Sequence, residues 1–269
     1  MPLSIIPCFK PLNGKLLPPQ LMEGLRIEMT LNTAAVAFSK YTATTIGATT
    51  YVLQPEIHFD TFLIADQFQR KINDMAARSG LKLLYEEAFH TIAVSAVSTI
   101  NFDIKKSASK ALKLIIVPRS NEDIVVVSND TFASSVYPFT SQQINIGSEY
   151  MPNQKLDTPV ISLVGNIESY YQSQFAMAKL YMGNAISPTQ YTGVAATGRT
   201  AYSSAILAYM LDKSNVNGLN GFVINNSRSL VINLVADLAT AVITTLRLDC
   251  YLVHLRSLDV MTSNIAIAD

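Results

Sequence analysis

Alternation of apolar and polar residues is the main pattern along this chain. From Leu25 to Leu31 every second side chain is apolar, and the same alternation returns at Ile144 and Ile146. A period of two is typical of a β-strand that buries one face. Similar or wholly apolar runs predict further strands at 51–64, 81–85, 91–97, 100–104, 111–117, 124–127, 160–164, 201–210, 230–234, 245–255 and 258–268. The chain is therefore predicted to be mostly β.

Two stretches follow the period of an amphipathic helix instead. The first begins at Asp66, has Gln69 three residues later as in a capping box, and ends before Gly80. The second begins after Asn166, which is a good N-cap residue. The first helix is predicted to turn Phe68, Ile72, Met75 and Ala76 towards the interior, and the second to carry Ile167, Tyr171, Phe175, Ala178 and Met182 on one face.

The segment 143–159 suggests where the chain divides. Gly147 and Ser148 stop a strand, Pro152 and Asn153 predict a turn, and a new apolar run begins after Pro159. We interpret this segment as a direct connection between two β-domains. Many strands with few helices favour packed antiparallel sheets. The predicted fold is all-β, with two tandem jelly-roll sandwiches at residues 1–142 and 143–269 and a short helix in each.

Composition adds that this is an apolar chain. Hydrophobic residues make up 49% of its 269 residues and charged residues 15%, with a mean hydropathy of +0.25. We therefore expect much of the surface to be buried against other subunits. The formal net charge is zero, from 20 basic and 20 acidic residues, which argues against a specific nucleic-acid binder. Cys8 and Cys250 are the only cysteines, which predicts a reduced compartment and no disulfide framework.

The three histidines suggest metal or acid–base chemistry, but their surroundings favour structural roles. His58 and Asp60 would share one face of a strand without a third ligand nearby in sequence. His254 lies in an apolar strand, where a hydrogen-bonded core or interface histidine is the better interpretation, and His90 stands apart from both. The sequence predicts no catalytic, cofactor-binding or metal-binding residues and no enzyme.

The other candidates for chemistry also have simpler interpretations. Glu86 and Glu87 would point to opposite faces of a strand, so they cannot act together on one bond. The glycine-rich segment 217–221 lacks the context of a phosphate loop and is predicted to be a surface loop. The basic cluster is better interpreted as a solvated loop. The two glycosylation sequons are better interpreted as chance matches. The cluster is Lys105, Lys106, Lys110 and Lys113, and the sequons begin at Asn129 and Asn225.

Several segments, taken in order, resemble the double jelly-roll major capsid proteins of DNA viruses, the lineage of adenovirus hexon and PRD1. The resemblance is carried by short motifs spread over most of the chain. They are the proline arm at Leu17–Pro18 with the strand Gly24–Leu31, the strand 51–64 with its helix and Ser79–Leu81, the run Lys110–Lys113, the segment Ile144–Pro152, the segment Gly221–Asn233 and the closing Tyr251–Arg256.

This resemblance implies a virion shell subunit, assembled inside the host cell. Such proteins form homotrimers whose six jelly rolls give a pseudo-hexagonal capsomer, and they contact neighbouring capsomers and minor capsid or penton proteins. It also implies that early strands of the first sandwich precede the proline arm. We therefore expect the first sandwich to be incomplete within this chain, with another chain or segment supplying those strands. The loops Asn32–Thr50, Gly183–Thr200 and Lys213–Gly221 are predicted to form tower or inter-trimer contacts.

Two other classes of protein remain open from the residues alone. A β-sandwich spike or carbohydrate-binding module of a virus or phage would carry an aromatic-rimmed pocket and make no shell-forming contacts. A cupin-type enzyme would need about three clustered metal ligands, whereas the histidines here are scattered.

Overall fold

The computed structural model describes residues 64–78, 80–121, 139–157, 167–178, 186–188, 191, 205–212, 221–238, 243–260 and 265–268. Within these ranges the chain forms two helices, α1 (Asp66–Arg78) and α2 (Ile167–Ala178), and ten strands. The strands are β1 (Leu81–Ser95), β2 (Thr99–Ile104), β3 (Ala108–Ser120), β4 (Phe139–Ile146), β5 (Glu149–Asp157), β6 (Leu207–Met210), β7 (Phe222–Ile224), β8 (Leu230–Ala236), β9 (Leu246–Val260) and β10 (Ile265–Ala268). The predicted all-β class is confirmed.

The chain divides into two compact units. The smaller unit comprises Met1–Met29, Ala43–Tyr85 and Arg256–Asp269, and the larger unit comprises Thr30–Thr42 and Glu86–Leu255. In the smaller unit the structure describes α1, the first residues of β1, the end of β9, and β10. Strand β10 pairs antiparallel with the end of β9, from Ile265 opposite Val260 to Ala268 opposite Ser257.

The larger unit contains a jelly roll. One sheet has the order β1-β9-β3-β6, with β7 also pairing with β3, and the other has the order β2-β8-β4-β5. Strands β8 and β9 come last in the sequence of this unit. In the sheets, β8 lies between β2 and β4, and β9 lies between β1 and β3, all of which come earlier in the sequence. Two packed sheets whose main paths have four strands each, in this interleaved order, are the jelly-roll topology.

Strand β8 shows why these sequences form a sandwich. Leu230, Ile232 and Leu234 are at most 1% exposed, and the residues between them are half-buried, as the alternation predicts. Ile232 lies opposite Phe102 of β2 and Ile144 of β4, so β8 is the centre of its sheet. The inward residues of both sheets belong to one hydrophobic core. Burial of these aliphatic side chains is the main force that holds the two sheets together.

The division of the chain differs from the predicted one. The predicted boundary between residues 142 and 143 falls inside β4, which runs without a break from Phe139 to Ile146. Strands β1 to β3 precede that boundary and β5 to β9 follow it, yet they share one jelly roll. The local stop at Gly147 was interpreted as a change of domain, whereas it is the turn of a hairpin between β4 and β5.

Other local predictions agree with the structure or need correction. Gly147 has a φ of 60° and Gly80 a φ of 73°, so both glycines adopt the left-handed conformation that ends their elements. The turn predicted at Pro152 and Asn153 is wrong, because β5 continues through both residues. The predicted strands 81–85 and 91–97 are one strand, β1. The predictions for 25–31, 51–63, 124–127 and 160–164 lie outside the described residues.

Gly221, at the start of β7, allows a close approach between two backbones. A Cβ atom at this position would lie 2.7 Å from the carbonyl oxygen of Ala111 and 2.9 Å from the carbonyl carbon of Lys110. Both distances are far inside van der Waals contact, and both atoms belong to the backbone of β3. This packing explains a glycine that sequence analysis assigned to a surface loop.

We expect Gly221→Ala to lower the free energy of unfolding by about 1–3 kcal/mol, because the backbone of β3 or β7 has to move to admit the methyl group. Urea denaturation followed by circular dichroism measures this loss. The control is Asn226→Ala in the exposed turn that follows β7. Equal stability of the two variants would contradict the close approach.

Candidate functional site

An ionic cluster lies on the side of β9 away from the core, centred on Asp249. Its carboxylate accepts hydrogen bonds from Arg247, whose Nη2 is 2.9 Å and whose Nε is 3.2 Å from Oδ1. His90 Nε2 of β1 is 3.2 Å from the same oxygen, and Arg119 Nε of β3 is 3.6 Å from Oδ2. Three strands thus bring two guanidinium groups and an imidazole to one carboxylate that is only 3% exposed.

The cluster carries an excess of positive charge. Two arginines share one carboxylate, and their side chains remain 29% exposed at Arg119 and 26% exposed at Arg247. His90 stacks on Tyr251, with ring centroids 4.6 Å apart. The pKa of Tyr251 is raised by burial and then by the negative charge of Asp249. The arrangement is suited to fix three strands and to attract an anionic group, and sequence analysis missed it because its members lie far apart in the chain.

Cys250 is next to this cluster but faces the core. It is 0% exposed, and its thiol lies 3.9 Å from the carbonyl oxygen of Leu248. Burial, and then the charge of Asp249, raises the pKa of this thiol from 9.0 to about 12. The thiol therefore stays protonated in the folded protein at pH values at which an unfolded chain ionises.

We expect iodoacetamide to label Cys250 at pH 8 between about a hundredfold and a thousandfold more slowly in the folded protein than in urea. Mass spectrometry of the peptide that contains Cys250 measures this rate separately from Cys8. Because the folded-state pKa is the higher one, the thiol's contribution to stability is complete below pH 9 and declines as the pH rises towards about 12. Equal labelling in the two states would contradict the burial.

His254 and Glu87 lie together on the other face of β1 and β9. His254 is 1% exposed, and its Nε2 is 3.8 Å from Oε2 of Glu87. The predicted burial of His254 is confirmed, whereas its predicted hydrogen bond stays a prediction, because 3.8 Å is too long for one. Glu86 and Glu87 are adjacent on a strand and therefore point to opposite faces.

The basic cluster is not a single solvated loop. Lys105 is exposed and Lys106 half-buried between β2 and β3, and the ammonium of Lys106 is 5.9 Å from the ring of Phe89. Lys110 and Lys113 belong to strand β3, and Lys113 is only 6% exposed. The prediction was wrong for these two lysines because pairing with β6, β7 and β9 incorporates their segment into the sheet.

The remaining candidates are turn residues or lie elsewhere. Asn225 Oδ1 accepts hydrogen bonds from the backbone N–H groups of Ser227 and Arg228, each at 3.0 Å, so its side chain closes the turn before β8. Among the described residues no group of three His, Cys, Asp or Glu side chains is placed to hold a metal ion. His58, Cys8, Asn129, the loop 32–50 and most of the loops 183–200 and 213–221 lie outside the described residues.

Both helices turn apolar side chains towards solvent. In α2, Ile167, Tyr171 and Phe175 are 43%, 64% and 61% exposed, and they lie four residues apart on one face. In α1, Phe68 is 54% and Met75 is 56% exposed, so the predicted inward direction is wrong for these two residues, whereas Ile72 is half-buried. We call the three residues of α2 the α2 ridge.

Polar contacts explain why α2 packs with the opposite face. Ser169 Oγ and Ser173 Oγ lie 2.8 and 3.2 Å from the hydroxyl of Tyr191, which is fully buried. Ser173 Oγ also accepts the backbone N–H of Ala208 in β6 at 3.2 Å. Small serines let the helix approach the sheet, and hydrogen bonds replace the usual apolar contacts. The large apolar residues are left outside.

A second apolar surface lies where β1 turns into β2. The side chains of Ile92, Val94 and Val97 are 43%, 56% and 63% exposed. They line an open cavity of about 340 Å³ together with Phe102 and Leu248. We call this cavity, with its rim, the β1–β2 cavity. The cavity also has polar lining residues, Ser95, Thr99 and Asn101. Exposed apolar side chains such as those of the ridge and of the cavity rim are typical of surfaces that contact other proteins.

The larger unit is, by its topology, a jelly-roll protein. The structure is similar to PBCV-1 VP54, fitted into a cryo-EM reconstruction of the virophage Sputnik, with a TM-score of 0.44, 10% identity, and coverage of 77% of this chain and 55% of that one. It is also similar to the Faustovirus major capsid protein, with a TM-score of 0.48, 6% identity, and coverage of 73% and 36%. The mavirus major capsid protein gives a TM-score of 0.39 and 8% identity, with coverage of 70% and 41%.

The chain spans only 36–55% of the length of these proteins. At identities of 6–10%, the similarity is one of fold alone, over part of each chain. No protein-family model matches the chain, and no curated protein sequence matches it. None of the described helices is both long and apolar enough to cross a bilayer.

Proposed function

We propose that this chain is a major capsid protein of a virus, a structural subunit that assembles with copies of itself into pseudo-hexagonal homotrimeric capsomers of an icosahedral shell. Its location would be the virion, and its partners would be neighbouring capsomers and minor capsid or penton proteins. The proposal includes two sandwiches, one in each compact unit, with the smaller unit completed by strands from outside this chain.

The observation that carries the proposal is where the family-like motifs lie in the fold. Lys110–Lys113 lies near the start of the long strand β3, Ile144–Pro152 contains the turn of the β4–β5 hairpin, and Tyr251–Arg256 lies in β9. All three motifs belong to the jelly roll whose order is interleaved, and the hairpin and β9 lie in different sheets. Three motifs that are short in sequence thus lie within strands and a turn of one sandwich.

The described surface around the β1–β2 cavity fits assembly better than sugar binding. A carbohydrate-binding module would present several aromatic rings around a pocket, because sugars stack on aromatic faces. The lining of the β1–β2 cavity contains one aromatic residue, Phe102, and is otherwise mostly aliphatic. The exposed aromatic residues of α2 form a ridge, which is suited to insert into another protein.

Electron microscopy of the expressed chain tests the proposal. We expect hexagon-shaped trimers or closed particles in negative stain, and a trimer mass in sedimentation velocity. A chain that stays monomeric at every accessible concentration, or that retains a bound sugar on a glycan array, would contradict the capsid proposal and favour the binding module.

A further inference from the structure

We infer that the α2 ridge of one copy inserts into the β1–β2 cavity of the next copy, so that the contact between copies is head-to-tail. This inference rests on the proposed function, because it names the surfaces through which the subunits associate. Both surfaces belong to the larger unit, and neither includes a residue that the sequence marked as functional.

The two surfaces lie at opposite edges of the same sheet. The described part of that sheet runs β1-β9-β3-β6, so β1 and β6 are its two ends. Strand β1 provides Ile92 and Val94 to the cavity, and β6 holds α2 through the bond from Ala208 to Ser173. Because the two surfaces differ and lie at opposite edges, each copy needs one neighbour for its ridge and another for its cavity. A repeated contact of this kind closes into a ring when the rotation that relates successive copies brings the last copy back to the first.

The sizes of the two surfaces agree. Tyr171 and Phe175, at 64% and 61% exposure, leave roughly 200–300 Å² of aromatic side chain in water. A stable interface buries about 800 Å² on each partner, so the ridge supplies about a third of it as a central anchor. The cavity of about 340 Å³ is large enough to receive an aromatic side chain, and its lining combines aliphatic residues and Phe102 with Ser95, Thr99 and Asn101.

The charges agree as well. Glu168 is the one charged residue of α2, it is exposed, and it lies one turn from Tyr171 on the ridge. Close to the cavity, the guanidinium groups of Arg119 and Arg247 share the single carboxylate of Asp249, which leaves an excess of positive charge. A ridge seated in the cavity would therefore bring its carboxylate towards arginines of the neighbouring copy.

The test uses paired variants of the full chain. The ridge variant is Tyr171→Asp with Phe175→Asp, and the cavity variant is Val94→Asp with Val97→Asp. Each is expected to weaken self-association by at least roughly 30-fold, measured by sedimentation velocity, because a charge replaces an apolar anchor. Tyr150→Asp in β5, where the side chain is 51% exposed and outside both surfaces, is the matched control and should assemble normally. Circular dichroism checks that every variant is folded.

Mixing the two variants distinguishes this contact from a symmetric one. The ridge variant keeps an intact cavity and the cavity variant an intact ridge, so a mixture is expected to form heterodimers that do not close into rings. Absence of heterodimers in the mixture would overturn the inference, as would wild-type assembly by either variant alone. If the wild-type chain itself does not assemble, the proposed function fails instead.

Discussion

Asp249→Ala is expected to lower the free energy of unfolding by about 2–4 kcal/mol. The carboxylate is 3% exposed and holds Arg247 and His90 at 2.9 and 3.2 Å, with Arg119 at 3.6 Å. Its removal leaves two partly buried guanidinium groups near each other without a counter-charge, and it removes the side-chain link between β1, β3 and β9. We place the loss below that of a fully buried ion pair because both arginines keep access to water, which screens their repulsion.

Urea denaturation at neutral pH measures this effect, and Glu149→Ala provides the matched control. Glu149 bonds Arg228 at 2.9 Å, but both side chains are about two-fifths exposed. An exposed pair of this kind contributes roughly 0–1 kcal/mol. Equal losses in the free energy of unfolding for the two variants would show that the burial of Asp249 does not strengthen its ion pairs.

Ile232→Ala is expected to cost about 2–5 kcal/mol, through lost burial and the cavity that remains. Ile232 is fully buried in the central strand β8 and lies opposite both Phe102 and Ile144. The denaturation midpoint in guanidinium chloride measures the loss. Val223→Ala in β7, where the side chain is 43% exposed, should change stability by less than about 1 kcal/mol.

The same variant tests the division of the chain. Because Ile232 joins strands from both sides of residues 142 and 143, its loss should weaken the whole jelly roll in one cooperative transition. A transition that affected only the part of the chain after residue 142 would support the boundary predicted from sequence. Tryptophan is absent from the chain, so circular dichroism and tyrosine fluorescence are the suitable probes.

The pattern of apolar and polar residues predicted the positions of strands and helices better than it predicted which side chains are buried. Gly80 and Gly147 end their elements as expected, and β8 buries the residues that its period of two indicates. The apolar stripe of α2 also has the predicted helical spacing. Its outward direction could not be predicted, since that direction depends on the bonds from Ser169 and Ser173 to Tyr191, which a helical period does not contain.

The candidate surfaces required the tertiary structure for a similar reason. His90 and Asp249 are separated by 159 positions, and no spacing rule connects them. The β1–β2 cavity arises where the two sheets meet. In the sequence, the residues on its rim cannot be distinguished from other apolar residues of a strand. Lys113 was interpreted as solvated because local charge density says nothing about which strands will cover it.

By itself, the sequence determined the all-β class, the positions of most described strands and both helices, and the family that the ordered motifs resemble. These are local properties, because alternation, glycine and proline act within a few residues. Only the tertiary structure decided which strands are neighbours, where the chain divides, and which apolar residues stay outside. Those outcomes depend on packing between segments more than 100 residues apart, such as β2 with β8 and β1 with β9.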